Sequence, residues 1–258
     1  MIFFFSATGN SLYVAKRLEA QPVSIAQAIH DTDKTYSAEN IGIVSPVYGH
    51  EMPALVKDFI RQAQFRTDYF YLILTYGNRH AGAAELAQEF MRGCGIEPAY
   101  INTLLMVDNF LPAFDMDEQR LIDKRVEDQL EAICADIAAR KHWISPVTEE
   151  DRAAHRQYLA GIAQLPADAF RKLYKITDAC IGCGICTKVC PKSCFSVQDQ
   201  HAQWDAAECI TCMACIHACP QKAIQLNMPE KNPKARYRNE HVTLYEIVKA
   251  NQQKALVF

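Results

Sequence analysis

Read for the spacing of apolar residues, the first hundred positions alternate between short hydrophobic runs and stretches with helical periodicity. Ile2–Phe5 is an apolar run, Leu12, Ala15 and Leu18 recur at three-residue steps, and Val23–Ile25 is apolar again. Ile41–Val44 follows a polar stretch. Leu55, Val56, Phe59 and Ile60 then share one helical face, Tyr69–Leu74 reads as a buried strand, Leu86, Phe90 and Met91 mark a further helix, and Tyr100–Val107 closes the series. Strands that alternate with helices build a parallel sheet with right-handed crossovers and helices on both faces. The pattern therefore predicts a doubly wound α/β domain of five strands over residues 1–145.

Residues 115–143 read as one long amphipathic helix. Asp115 or Asp117 is positioned to cap it, Ile122, Val126, Leu130, Ile133 and Ile137 recur at three- and four-residue steps, and Trp143 lies near its end. Pro146 marks a boundary. Residues 146–175 predict a charged helical segment that bridges two domains and packs between them, because it lacks the Gly and Ser of a flexible linker, with Phe170 and Tyr174 as apolar anchors. A small domain over 176–228 and a basic C-terminal tail over 229–258 complete the chain.

The small domain carries the most specific signal. Cys180, Cys183, Cys186 and Cys190 precede Pro191, and the pattern repeats 29 positions later as Cys209, Cys212, Cys215 and Cys219 before Pro220. Three cysteines on one tight loop can face three corners of an iron–sulfur cube, while the fourth, released by its proline, points to the other cluster. One 4Fe-4S cluster is then expected on Cys180, Cys183, Cys186 and Cys219, and a second on Cys209, Cys212, Cys215 and Cys190. Zinc sites usually read as separated ligand pairs and do not call for a doubled run of four with terminal prolines. Residues 176–228 resemble the bacterial two-cluster ferredoxins, an α+β fold. Aligning the repeats sets Cys194 opposite Ala223, a place for a small buried filler. Cys94 and Cys134 read as core thiols, and His217, inside the second motif, as an exposed side chain or a group that tunes a cluster.

The first strand leads into Ser6, Ala7, Thr8, Gly9, Asn10 and Ser11 and then a helix. Such residues make ordinary helix caps, and they also make a nest of N–H donors at a positive helix terminus. The position, after the first strand of a doubly wound sheet where strand order reverses, favours a phosphate. Neither G-x-G-x-x-G nor G-x-x-x-x-G-K is present, which disfavours a nicotinamide dinucleotide or a nucleoside triphosphate. With that hydroxyl-rich loop, residues 1–145 resemble the flavodoxin family. The resemblance implies FMN, its ring held between two further loops: Pro46, Val47, Tyr48 and Gly49, and Thr75, Tyr76, Gly77 and Asn78. Each supplies an aromatic for stacking and a glycine for close backbone approach. No Trp lies in these loops, unlike in typical flavodoxins. Arg79 and His80 stand beside the ring or face solvent.

Of 258 residues with net charge −3, residues 1–177 carry −5 and residues 230–258 carry +3. Lys231, Lys234, Arg236 and Arg238 make the tail basic, but an acidic chain without a binding motif argues against nucleic acid, so a solvated or partner-docking tail is expected. Ile2–Phe5 is too short for a signal-peptide core or a membrane span, and free thiols beside iron–sulfur ligands suit a reducing compartment, so the cytoplasm is expected. No Ser-His-Asp or Cys-His hydrolytic arrangement stands out. Across nearly its whole length the chain resembles the flavodoxin–ferredoxin fusion proteins of anaerobic bacteria and archaea. This implies an electron relay between FMN and two 4Fe-4S clusters, working as a low-potential carrier or adaptor between redox protein partners. Two other readings stay open: an FMN-dependent reductase of a small molecule such as a quinone, with Phe110, Leu111, Pro112 and Phe114 folding over the ring, and a flavodoxin-like dock that has lost its flavin.

Overall fold

The computed structural model describes residues 1–251, and the end of the expected basic tail, residues 252–258, lies outside the described residues. The chain opens with β1 (Ile2–Phe4), α1 (Asn10–Leu18), β2 (Val23–Ser24) and α2 (Ile25–Ala28). There follow β3 (Thr35–Ser37), β4 (Asn40–Pro46), α3 (Ala54–Gln62), β5 (Gln64–Arg66), β6 (Tyr69–Tyr76), α4 (Ala83–Gly93) and β7 (Tyr100–Leu105). The main sheet is parallel throughout, in the order β2-β1-β4-β6-β7, with a short sixth edge strand, β8 (Trp143–Ile144), beside β7. This is the doubly wound order of flavodoxin-like folds, with its switch point between β1 and β4. The fold class is the expected one. The sheet has a sixth strand beyond the expected five, and β3 and β5 pair separately inside stretches that read as polar.

The central strands β4 and β6 are buried on both faces, which is why Ile41–Val44 and Tyr69–Leu74 are continuous rather than alternating. Two cores follow, one on each face. Phe3, Phe5, Ile43, Leu72, Val56 and Phe59 belong to one, and Phe4, Val14, Val44, Ile73, Leu104 and Leu130 to the other.

The single helix expected over 115–143 is two helices, α5 (Met116–Leu121) and α6 (Val126–Ala138). Asp115 caps α5 by accepting from the Asp117 amide, as expected. Between the helices Asp123 accepts from the Arg125 amide at 2.8 Å, Arg125 adopts φ 50°, and Ile122 stays exposed rather than continuing the apolar stripe. Trp143 leaves the helix and joins β8. Helix α7 (Glu149–Ile162) is held by a capping box of Thr148 and Asp151 and has no buried residue. It lies on the α/β domain, where Arg152 grips Glu85 with three hydrogen bonds of 2.6–3.1 Å.

The C-terminal half folds as β9 (Tyr174–Ile176), α8 (Ile185–Val189), β10 (Phe195–Gln198), β11 (His201–Trp204), α9 (Ala214–Ala218) and β12 (Ile224–Leu226), with β9 antiparallel to β12 and β10 to β11. Tyr174 is buried against Trp204, ring centroids 4.9 Å apart, whereas Phe170 is 48% exposed. The third core is shared: Leu111 and Met116, from the segment expected to fold over a flavin, are buried here with Phe195, Ile216 and Ile224.

The tail, expected to be solvated or to dock a partner, is a strap that returns to the α/β domain, its last described element being α10 (Leu244–Asn251). Ala235, Arg236, Tyr237, Asn239 and Val242 are buried. The basic character that marked the segment is partly internal: the Arg236 guanidinium pairs with Glu230 at 2.8 Å, and both side chains are buried. Lys16 and Glu246, 2.5 Å apart, tie α10 to α1.

Candidate functional site

The two cysteine runs repeat in backbone conformation as well as in sequence. Left-handed residues fall at Gly182 and Thr211, at Gly184 and Met213, and at Ser193 and Lys222, each pair 29 positions apart. Gly182 needs its missing side chain, since a Cβ there would sit 2.6 Å from the Gln200 carbonyl oxygen. Thr211 and Met213 take the same conformation without glycine, local strain held by the surrounding loop. After each run the fourth cysteine sulfur accepts a backbone amide four residues on: Cys194 N–H to Cys190 Sγ at 3.2 Å, and Ala223 N–H to Cys219 Sγ at 3.3 Å. Ala202 N–H adds a bond of 3.4 Å to Cys180 Sγ. Such donors favour extra negative charge on sulfur.

The cysteines ring two cavities. Cys180, Cys183, Cys186 and Cys219 line one of about 350 Å³, with Ile181, Gly182 and Pro220. Cys190, Cys209, Cys212 and Cys215 line another of about 270 Å³, with Tyr174, Cys194 and Phe195. Both volumes include space open to solvent. The structure thus brings the eight cysteines together in the crossed grouping expected from the spacing. Among the described residues no group of three or more His, Cys, Asp or Glu side chains is arranged to hold a single metal ion. An all-thiol donor set of four cysteines around each cavity fits a 4Fe-4S cluster. Burial pushes the thiols of Cys186, Cys212 and Cys215 up, the first to about 11, so proton release has to be driven by a metal.

Cys194 does more than fill space. Its thiol donates to the Lys192 carbonyl at 3.6 Å and lies beside Cys190 and Cys209, a contact that lowers both of those thiols and raises its own. The sequence offered no sign of this, because the aligned residue of the other repeat is Ala223.

The two cavities differ in exposure. Cys183 is exposed and neighbouring Ile181 is 59% exposed, so the first cavity faces outward. The second faces the α/β domain: Cys212 and Ile210 pack on the core of Phe3, Phe5 and Leu72, against which Tyr48 also packs, and Cys212 also packs on the other cluster, which includes Val189 and Ala214 of the C-terminal half. Tyr48 is partly buried beside Cys212, and this burial pushes its phenol well up.

The three expected flavin loops lie at the carboxyl edge of the sheet. Ser11 Oγ and Thr75 Oγ1 are 2.8 Å apart and join the first loop to the end of β6. Helix α1 begins at Gly9 with φ 105° and no side-chain cap, which leaves its terminal amides to an outside acceptor. Ser6, Ala7, Thr8, Ser11 and Thr75 are buried, Asn10, Pro46, Val47, Tyr48, Gly49, Tyr76 and Gly77 are partly buried, and Asn78 and Arg79 are exposed. Close backbone approach is used by protein here. A Cβ on Gly49 would meet the Tyr158 hydroxyl at 2.4 Å, and one on Gly77 would meet Asp108 Cα at 2.3 Å.

The phosphate-type loop is also closed over by groups the sequence did not flag. Asn109 donates to Thr8 Oγ1 at 2.6 Å, Asn239 N–H to the Thr8 carbonyl at 2.8 Å, and Asn251 to the Ser6 carbonyl at 2.9 Å. Asn10 Oδ1 accepts from the Tyr237 hydroxyl at 2.7 Å and from Asn239 at 3.1 Å. His217 completes the chain. It is buried, not exposed as expected; Nε2 donates to the Asn109 carbonyl at 2.9 Å and Nδ1 accepts from Tyr237 N–H at 3.0 Å. Burial lowers its pKa to about 4, which keeps it neutral in this bridge between the second cysteine run and the Thr8 loop.

Residues 172–220 match the 4Fe-4S dicluster domain family. Within this region the chain is 47% identical over 47 residues to one subunit of an ion-translocating oxidoreductase complex from Methanosarcina acetivorans, covering 18% of each chain. It is 39% identical over 49 residues to a ferredoxin-like protein in the nif region of Trichormus variabilis, covering 19% of this chain and 42% of that protein. It is 39% identical over 54 residues to ferredoxin-1 of Caulobacter vibrioides, 20% of this chain and 48% of that one. The chain thus spans less than half the length of these relatives. Among solved structures, rubredoxin oxygen:oxidoreductase from Desulfovibrio gigas aligns at 12% identity with TM-score 0.30, over 54% of this chain and 36% of that one. The α/β assignment rests on strand order itself. No helix of the described residues is long and apolar enough to cross a membrane.

Proposed function

From a chain that joins a flavodoxin-like α/β domain to a dicluster ferredoxin domain and works in electron transfer, we propose an intramolecular relay. It runs between FMN at the carboxyl edge of the sheet and two 4Fe-4S clusters, and it serves redox protein partners as a low-potential carrier or adaptor. The observation that carries this reading is the placement of Cys212, which lines the second cavity and packs on an α/β core beside Tyr48. When bound, FMN gathers electrons singly or in pairs while each cluster passes one at a time.

The chain's own residues divide the remaining work. The uncapped start of α1 and the hydroxyls of Ser6, Thr8 and Ser11 hold a phosphate. Tyr48 and Tyr76 would flank the ring, while the space beside Gly49 and Gly77 is taken by Tyr158 and Asp108. Cys180, Cys183, Cys186 and Cys219 hold the outward cluster, where exposed Ile181 and Cys183 meet a partner; Cys190, Cys209, Cys212 and Cys215 hold the inner one. The amides of Ala202, Cys194 and Ala223 orient the sulfurs of Cys180, Cys190 and Cys219, each at 3.4 Å or less.

A carrier reading fits better than an FMN reductase, because a cleft of about 570 Å³ lined by Tyr13, Met106, Lys124 and Arg238 includes none of the flavin-loop residues. A second reading has its own observation: Asn109, Tyr237, Asn239 and Asn251 already use the oxygens of the Thr8 loop, which favours a flavin-free dock. Protein purified without oxygen separates the two. The relay requires about one FMN per chain with roughly eight irons; eight irons with no flavin leaves a ferredoxin attached to a docking domain.

A further inference from the structure

Buried side-chain donors are shared unevenly between the two cysteine cavities. Tyr174 lines the second cavity together with Cys209, Cys212 and Cys215, and it is 6% exposed. Its backbone is fixed by the pairing of β9 with β12, where it stands opposite Leu226, and by the Asn227 amide, which donates to the Leu173 carbonyl at 2.8 Å. Its ring meets Trp204 edge to face, centroids 4.9 Å apart and planes 74° apart, and Phe195 at 6.5 Å. The phenol is thereby held against the cavity.

Both rings carry a polar atom that the protein leaves unsatisfied. The Tyr174 hydroxyl and the Trp204 indole Nε1 are buried, and neither finds a partner at hydrogen-bonding geometry. The nearby acceptors are sulfurs: the phenol faces the Cys215 side chain and the indole that of Cys209. A buried donor without an acceptor is unfavourable, so two of them side by side call for one that the cysteines supply only when they hold a cluster. The first cavity is built differently. Ile181, Ile185, Ala202, Pro220 and Ile224 line it beside its cysteines, and among the described residues no unsatisfied buried hydroxyl or indole lies on its wall. The residue 29 positions after Tyr174, at the spacing of the two runs, is Gln203, which is exposed. Backbone amides reach sulfurs of both sets, Ala202 and Ala223 in the first and Cys194 in the second, so the asymmetry lies in the side chains.

We infer that the Tyr174 hydroxyl and the Trp204 indole N–H donate to sulfurs of the inner 4Fe-4S cluster and raise its reduction potential, leaving the outward cluster untouched. The inference rests on the crossed ligand sets of the proposed relay. Each reduction adds one electron and one negative charge to a cluster, and a donor aimed at sulfur stabilises the reduced form more than the oxidised one. Anaerobic redox titration of the full-length, cluster-loaded protein, with iron counted on each sample, tests it. Tyr174→Phe keeps the ring and removes only the hydroxyl. At fixed potential the oxidised-to-reduced ratio of one cluster rises about three- to tenfold, roughly 30–60 mV downward for a one-electron couple, and the other cluster does not move. Trp204→Phe moves the same cluster in the same direction, and it carries the test if Tyr174→Phe sheds iron. Cys180→Ser/Cys219→Ser, which keeps only the inner cluster, identifies it: adding Tyr174→Phe there lowers the one remaining potential. Roughly eight irons with both potentials unmoved in the two Phe variants overturns the inference and leaves the ligand sets standing. An equal shift of both clusters, or loss of iron from both variants, assigns the rings to packing and overturns it as well. Wild-type protein with only about four irons, or Cys180→Ser/Cys219→Ser protein with none, overturns the ligand sets and the inference with them.

Discussion

Replacing Arg236 by Met tests whether the strap is part of the fold. The guanidinium donates to Glu230 at 2.8 Å and to the carbonyls of Ile216 at 3.1 Å, Ala235 at 2.8 Å and Ile224 at 3.4 Å. Its side chain is 7% exposed and that of Glu230 is 4% exposed. Met keeps much of the volume but removes every donor and leaves a buried carboxylate whose other oxygen takes only the Leu226 amide, at 2.9 Å. Breaking a buried pair in this way costs about 3–5 kcal/mol, far more than an exposed pair is worth. For a protein of this size each kcal/mol lowers Tm by roughly 2–4 °C, so Arg236→Met falls by about 10 °C in an anaerobic melt followed by far-ultraviolet circular dichroism. The double variant Arg236→Met/Glu230→Gln recovers part of the loss, because the stranded charge is gone. A loss below about 1 kcal/mol, or a double variant as unstable as the sum of the singles, refutes the reasoning.

Other changes read different parts of the account. With crossed ligands, Cys219→Ser/Cys180→Ser removes one cluster and keeps about four irons, whereas Cys219→Ser/Cys209→Ser removes both; the opposite pattern in an iron assay contradicts the crossing. Gly9→Ala places a Cβ 2.9 Å from Asn239 Cβ at φ 105°, and costs about 1–3 kcal/mol by urea titration. Burial first, then His155, Arg79 and His80, lowers the pKa of His50, so the unfolded chain binds more protons than the folded one below about pH 6.5. Stability contributed by His50 is complete above that pH and declines as pH falls, and His50→Gln flattens the decline in denaturation midpoints measured from pH 7.5 to 5.5. Cys194→Ala removes the polar thiol that lies beside Cys190 and Cys209 and lowers one reduction potential by about 20–60 mV in anaerobic redox titration, with the other unmoved.

How far sequence reached is clearest where one physical signal governed. The runs at Ile41–Val44 and Tyr69–Leu74 are strands buried on both faces, for which apolar continuity is sufficient evidence. The cysteine spacing carried the crossed grouping around the two cavities, because loop geometry is local. What failed was long-range. Helical periodicity ran from Ile122 to Ile137 in sequence, yet a short Asx-type turn at Asp123 and the left-handed Arg125 break it, and periodicity does not register one reversed φ angle. Basic residues at 231–238 read as solvated because charge usually is; Glu230, their neighbour in sequence, is what allows Arg236 to be buried. His217 looked exposed because its partners, the Asn109 carbonyl from the segment after β7 and the Tyr237 amide from the strap, are backbone groups far away in sequence. The closure of the Thr8 loop by Asn109, Tyr237, Asn239 and Asn251 joins residues up to 245 positions apart, beyond the reach of any local pattern.

The relay itself is tested most directly by photoreducing the flavin of anaerobic protein and following loss of the clusters' visible absorbance at several protein concentrations. The account predicts a first-order transfer whose rate is independent of protein concentration, since Cys212 sets the inner cluster against the α/β domain of the same chain. A rate proportional to concentration, or clusters that stay oxidised beside reduced flavin, contradicts it.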